Sequence, residues 1–433
     1  MARVNTFLLL IIVFYACKTS SGVFAKKTLH EQYGDKLNAS GLNETALGTK
    51  WFEAASKAIN TPVVIKLPYK ENGYFATDRP EATGLQFNAR RGEQILIELT
   101  KVPATNFLLF ADLFEVQAGG AKFLQSVDTL TNTIRHKVKE NGNFILRLQP
   151  ELLKSGSYTI VIRTGPSLAF PITSPTAKNR FISYWGSQRD AGARSHEGVD
   201  IGGNFRTPLV AVGNGTVNSV SENNLGGKVV FIRSDDANET WYYAHLDSQI
   251  ATPGQRVKTG DIIGLMGNTG NARNTVTHLH FGIYTNHEPV DPLPYLEENK
   301  KEPEPVTAPL SSLGTRVRVG KKPFMQYPTP DARSGGIKSE NMPVLVTGAT
   351  ANFYKTILPG GETMFVPAAA TLAVENRLSK LILKKNTVLH DAPDEDAPVV
   401  KAVNAGSTAD LLGIYNEFQF IAAEGARGWT RQY

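Results

Sequence analysis

The sequence predicts a mainly β protein: an N-terminal β-sandwich, a central β-sheet domain and two small C-terminal β-barrels. Three observations predict it. Short alternating or β-branched runs recur along the chain, punctuated by Gly, Asn and Pro. Clear helical spacing of apolar residues is confined to one segment, 46–59, where Leu47, Trp51, Ala54, Ala55 and Ala58 fall on one face. Near the C-terminus a unit repeats at an offset of roughly 63 to 65 residues. At 433 residues the chain exceeds what one core normally holds, so several domains are expected.

Residues 1–25 are not expected to be part of the fold. Arg3 precedes an apolar run from Phe7 to Ala16 that is too short to span a bilayer and fits an export signal. Two processing sites compete. "VFA" before Lys26 is a small-residue cleavage site, and Cys17, the single cysteine, stands where a bacterial lipoprotein is acylated. Either route takes the protein out of the cytoplasm, to the periplasm, the outer membrane and cell envelope, or the medium. The second adds possible membrane attachment through a lipid on Cys17. With one cysteine, packing rather than disulfides must hold the domains. The formal net charge of +6 favours anionic partners such as cell-wall polymers. No block of Lys and Arg with interleaved aromatics appears, which argues against nucleic acid.

The sandwich is expected over 28–172, built from runs such as "LQFNARRGEQILIEL", "FLLFADLFEV", "GNFILRLQP" and "GSYTIVIRT". A second β-rich unit follows over 176–297. Residues 298–311, "ENKKEPEPVTAPLS", are charged and contain Pro, and read as a stiff linker. The repeat occupies 312–375 and 376–433. "KKPFMQYPTPDA" pairs with "KKNTVLHDAPDEDA", and Phe365 falls opposite Trp429. With Gly turns and a closing "GW", these units resemble bacterial SH3-like modules, which commonly bind wall peptides or glycans.

The central unit concentrates chemistry. In "VTHLHFGIY", His278 and His280 are two apart in a strand-like run and share one face. "SHEGVDIGG" adds His196 and Asp200, and "YYAHL" adds His245. Taken singly, each has an ordinary structural reading: a half-exposed strand histidine, a turn aspartate, a packed core histidine. Their concentration in one β unit is harder to explain that way. "HEGVD" is not the start of a helical zinc motif, since Gly198, Gly202 and Gly203 each disfavour helix by about 1 kcal/mol. A loop entering a strand lets His196 and Asp200 turn toward one point. A mixed set of imidazole and carboxylate suits a catalytic zinc with an open fourth position better than magnesium or calcium. His30, His136, His287 and His390 are scattered and receive no role.

"HEGVDI", "YYAHL" and "THLHFGIY", in this order, resemble the lysostaphin-type zinc metallopeptidases over roughly 180–297, with "GNTGNAR" and "VDPLPYL" as further matches. The resemblance implies one Zn2+ per chain held by His196, Asp200 and His280. It leaves His278 and His245 free for catalysis, as general base and as oxyanion or proton partner, with the two roles exchangeable. It implies an exported endopeptidase acting on peptide cross-links of peptidoglycan. A glycyl-glycine bridge endopeptidase and a non-catalytic wall-binding scaffold with structural zinc are the alternatives.

Overall fold

The computed structural model describes residues 27–173, 180–298, 301–321, 325–332 and 335–431. The expected export signal over 1–25, with Cys17, lies outside the described residues. The chain is mainly β, as expected. No helix among the described residues is long and apolar enough to cross a membrane.

Two helices open the described chain. Leu29–Ala39 begins with a capping box in which Thr28 Oγ1 accepts from Glu31 N at 3.0 Å and the Glu31 carboxylate accepts from Thr28 N at 2.7 Å. Its apolar residues are too few to announce it in the sequence. It is held by His30 and Tyr33, whose rings pack on Trp51. Trp51 belongs to Ala46–Asn60, the helix expected over 46–59, and its Nε1 donates to Pro150 O at 2.9 Å.

Beneath the helices, one core draws residues from two sheets. The first runs Val63–Val64, Thr83–Ala89, Gly142–Pro150, Leu109–Gln117, Gly120–Ser126. The second includes Tyr69–Phe75, Gly156–Pro166, Glu93–Val102 and Thr133–Lys137. In Gly156–Pro166, Tyr158, Ile160 and Ile162 alternate with half-exposed residues, the period-2 pattern of a sheet with one buried face.

The second sheet continues beyond the expected sandwich. Tyr69–Phe75 also pairs with Met342–Thr350, with Asn72 opposite Ala349 and Gly73 opposite Gly348. Strands of the first C-terminal repeat thereby complete a nine-stranded sheet. A buried polar cluster marks the join. Glu71, fully buried, accepts from Tyr69 Oη and Tyr158 Oη at 2.6 Å each and from Lys355 Nζ at 2.5 Å. Segment 298–311, read above as a linker, ends in packed chain: Thr307 N and Ala308 N both donate to Ala351 O, and Ala308 is buried.

The segments read as a repeat each contain a three-stranded meander, Met342–Thr350, Phe353–Ile357, Thr363–Pro367 and Thr408–Tyr415, Phe418–Ala423, Ala426–Arg431. Phe365 and Trp429 sit on the last strand of each and are fully buried. The expected small barrels differ in one respect: their strand pairing is open rather than closed. In the second repeat, Ser379–Ile382 and Val399–Val403 lie at opposite ends of a six-stranded path, and Ile382, Val399 and Val400 are exposed.

The central unit has its own ten-stranded sheet, with Arg180–Ser183, Val199–Gly202, His278–Thr285, Glu239–Gln249, Gly227–Ser234, Gly215–Asn223 and Arg256–Val257 in spatial order. One face is apolar: Val199, Ile201, Leu279, Phe281, Ile283, Trp241 and Tyr243 are buried in a single core. This unit is also docked on the sandwich. Lys137 Nζ meets the Glu239 carboxylate at 2.9 Å and lies over the Tyr295 ring, which packs on Gly92.

Replacing Lys355 with Ala leaves Glu71 buried and without its cation. Lys355→Ala is expected to lower unfolding stability by about 3–5 kcal/mol, read by denaturant titration of the whole chain. A change within experimental error would show that Glu71 does not need this partner.

Candidate metal centre and catalytic cleft

The site forms on the face of the central sheet opposite its core. In the antiparallel ladder Asp200 lies opposite His280, and Gly202 opposite His278. Leu279, Phe281 and Ile283 are fully buried on the core side, so His278 and His280 share the other face, as strand alternation predicts.

His196 arrives from the loop before Val199–Gly202. Its Nδ1 lies 2.9 Å from Tyr184 O, which fixes that nitrogen as the donor and leaves Nε2 as an acceptor. Gly198 makes room for the next ring: a Cβ there would lie 2.7 Å from His280 Cε1 and 2.6 Å from Phe281 O.

Three donor atoms converge. His196 Nε2 is 3.0 Å from Asp200 Oδ1 and 2.9 Å from His280 Nδ1, and His280 Nδ1 is 3.0 Å from Asp200 Oδ1. Among the described residues, these three form a group able to hold a metal ion. The near-equilateral triangle would suit a single metal ion held by these three residues. The donor set also fits chemically, because two imidazole nitrogens and a carboxylate oxygen pointing at one another are a poor arrangement without a cation between them. Burial pushes the Asp200 carboxyl up, and positive charge and donors at the positions of His196 and His280 more than offset this, holding it well below the usual carboxylate range; a cation held between the three groups would act in the same sense. Burial lowers His280, with Asp200 opposing the shift in part.

Two further imidazoles flank the triangle. His278 Nδ1 lies 2.7 Å from Val276 O, and its Nε2 lies 4.0 Å from Asp200 Oδ1. His245 Nδ1 lies 2.9 Å from Thr269 O. Each ring therefore uses Nδ1–H on a backbone carbonyl, leaving the Nε2 lone pair for other work. Burial, reinforced by His278 and His280, pushes His245 down to about 4, so it is an uncharged base at neutral pH.

His245 reaches this face through a backbone irregularity. Tyr243 and Leu246 both enter the core, which strict alternation forbids for residues three apart. The strand register shifts here and His245 adopts φ 63°, in the left-handed region. A β-bulge of this kind re-aims one side chain at the cost of local strain. Thr269 supports it: its Oγ1 donates to Leu246 O at 2.8 Å and accepts from Lys228 N at 3.0 Å, while its carbonyl takes the His245 proton.

All five residues singled out in the sequence thus meet in one cleft of about 510 Å³. Tyr242, Tyr284, Phe231 and Val276 contribute an aromatic and apolar rim, and Glu197 also lines it. Sequence reasoning missed Arg189, from the short hairpin Gln188–Arg189 and Arg194–Ser195. Its Nη2 donates to Asp200 Oδ2 and to Ser183 Oγ, both at 2.7 Å. Asp200 thereby directs one oxygen to the triangle and the other to a guanidinium. A lone Arg outside any motif carries no signal that could have found it.

Residues 194–292 match the family described as Peptidase family M23, and this part of the chain is similar to lysostaphin-like proteins. Similar curated proteins include the glycyl-glycine endopeptidase ALE-1 of Staphylococcus capitis, 35% identical over 109 residues, or 24% of this chain and 29% of the relative. The peptidoglycan DD-endopeptidase ShyC of Vibrio cholerae is 38% identical over 93 residues, 22% of this chain and 21% of the relative. The L-Ala--D-Glu endopeptidase of Bacillus subtilis is 34% identical over 141 residues, 30% of this chain and 42% of the relative. The chain thus spans less than half the length of each of these relatives. Among solved structures, the catalytic domain of lysostaphin from Staphylococcus simulans is 30% identical, covering 27% of this chain and 91% of that one, with a TM-score of 0.25.

Loss of the guanidinium frees the Asp200 carboxylate to rotate. Arg189→Ala is expected to weaken zinc binding about 10–100-fold, measured by competition with a chromogenic chelator. Unchanged affinity would show that Arg189 does not orient Asp200.

Proposed function

We propose that the chain is an exported zinc endopeptidase that hydrolyses peptide cross-links of bacterial peptidoglycan. The observation that carries this reading is the convergence of five side chains in one cleft. His196, Asp200 and His280 form a three-donor triangle, and His278 and His245 stand beside it, each with Nδ1 against a backbone carbonyl. The three relatives described above are named as a glycyl-glycine endopeptidase, a peptidoglycan DD-endopeptidase and an L-Ala--D-Glu endopeptidase. The proposal for this chain is the cross-link between peptide stems, with a glycyl-glycine bridge as the second choice.

In this reading His196 Nε2, Asp200 Oδ1 and His280 Nδ1 hold one zinc. Bound zinc supplies a Lewis acid that polarises a carbonyl and brings the pKa of water toward about 7. His278, nearest the triangle, takes the proton of the attacking water on Nε2 and returns it to the leaving amine. His245 shares that proton on its own Nε2 and, once protonated there, supports the developing oxyanion. The carbonyls of Val276 and Thr269 keep both rings in the tautomer this requires. Arg189 holds Asp200 in its ligating orientation, and the Tyr242 and Tyr284 rings offer apolar surface to a peptide backbone.

The proposed functional units are the sandwich over 28–172, the peptidase over 176–297 and two SH3-like wall-binding repeats over 312–375 and 376–433. The docking between them supports reading the units as one composite assembly rather than beads on a flexible linker. Export places it in the periplasm, in the envelope or outside the cell, attached to a membrane if Cys17 is acylated.

The test is digestion of purified, cross-linked peptidoglycan with mass spectrometry of the products. Wild type should carry about one zinc and release uncross-linked stems. His280→Ala should lose the metal. His278→Ala and His245→Ala should keep it and lose turnover by about 10²–10⁴-fold. Digestion by metal-free protein at the parental rate would refute the reading. A separate measurement addresses location: intact mass of the mature protein should show either an acylated N-terminus at Cys17 or an unmodified one at Lys26, and retention of residues 1–16 would refute export by cleavage.

A further inference from the structure

A second cavity, about 560 Å³, opens between the two C-terminal repeats, away from the catalytic cleft. Its walls are fixed relative to each other. Arg318 Nη1 of the first repeat donates to Leu412 O of the second at 2.9 Å, and Ile414 N donates back to Asn341 O at 2.9 Å. Gly413 packs so closely on Pro343 that a Cβ would lie 2.6 Å from its ring. The cavity is therefore preformed and does not depend on a hinge between modules.

Its cations are not equivalent. Arg427 is ion-paired with Glu375 at 3.0 Å. Arg316 instead lies over the Phe420 ring, 5.5 Å from its centroid, and among the described residues no carboxylate is ion-paired with it. Burial lowers the Arg316 pKa and the Arg79 charge pushes the same way, with Asp391 opposing only in part. Asp391 lines the same cavity without forming an ion pair with Arg316, so this partly desolvated guanidinium keeps its planar fork open to an incoming carboxylate in two parallel hydrogen bonds. Val374, Val400 and Phe420 give the cavity an apolar side, while Asp391 and the Arg427-paired Glu375 line it as well. The volume lies within the range of small-ligand sites, about 300–1,000 Å³.

We propose that this inter-repeat cavity binds the free carboxylate of a short peptide, received by Arg316, with the small side chains of that peptide seated on Val374, Val400 and Phe420. The site is distinct from the catalytic cleft. On the proposed function, on which only the biological source of the ligand rests, the peptide is an uncross-linked stem end of the same wall polymer. A cleavage product would then also serve as an anchor for the enzyme.

The test is isothermal titration of the full chain with acetyl-trialanine bearing a free carboxylate, and with its C-terminal amide. The acid should bind at least 10-fold more tightly. Arg316→Gln should abolish that preference, and Arg316→Lys should keep part of it, because the charge remains and the fork is lost. Any acid held at the catalytic site is common to all three proteins, so the difference isolates Arg316. Equal binding of acid and amide by wild type would overturn the proposal. So would an undiminished preference in Arg316→Gln. The readout is binding rather than turnover: a wild type that prefers the acid but digests no peptidoglycan refutes the proposed function and leaves this site standing, while an active enzyme blind to the carboxylate does the reverse.

Discussion

The antiparallel register between Val199–Gly202 and His278–Thr285 is the constraint on which the centre depends. It sets Asp200 opposite His280 and places both beside the loop that delivers His196. Side chains alternate along a strand, so a slip of one residue would exchange His278 and His280 for Leu279 and Phe281. The core guards against that slip. Leu279, Phe281, Ile283, Val199 and Ile201 are all fully buried on the opposite face. Apolar burial on one side of the sheet therefore enforces polar convergence on the other, and the fold and the chemistry are fixed by one pairing.

Around that pairing, backbone carbonyls set the protonation pattern. Tyr184 O, Val276 O and Thr269 O each take a ring proton from His196, His278 and His245. Every one of these histidines therefore presents Nε2 as a base or ligand. Because the acceptors are main-chain atoms in strands and tight loops, the arrangement is held by the scaffold instead of by mobile side chains. Arg189 is the exception, a side chain on a short hairpin that is half-buried at the edge of the cleft and bridges Ser183 and Asp200.

The remaining units are coupled to this sheet and to one another. The Lys137–Glu239 pair and the Tyr295 contact tie the peptidase unit to the sandwich. The strand pairing of Tyr69–Phe75 with Met342–Thr350 ties the sandwich to the first repeat. Glu71 depends for its counter-charge on Lys355, 284 positions away. A carboxylate buried without a cation is costly, so this pair favours one way of docking the two units over others.

The sequence by itself determined the β class, the helix at Ala46–Asn60 and the five side chains that meet in the cleft. Each is a local signal: period-2 or period-3.6 patterning, or ligand-type residues in short motifs. Strand alternation even gave the shared face of His278 and His280. It could not give that of His245, since alternation from Tyr243 puts it in the core, and only the bulge with its left-handed φ turns it out. Nor could it give Arg189, which reaches Asp200 across a hairpin, or the sheet shared by residues 69–75 and 342–350. These were decided by tertiary structure for one physical reason. Hydrogen bonds and ion pairs between distant segments depend on where the packed chain brings them, and no periodicity within either segment records the position of the other.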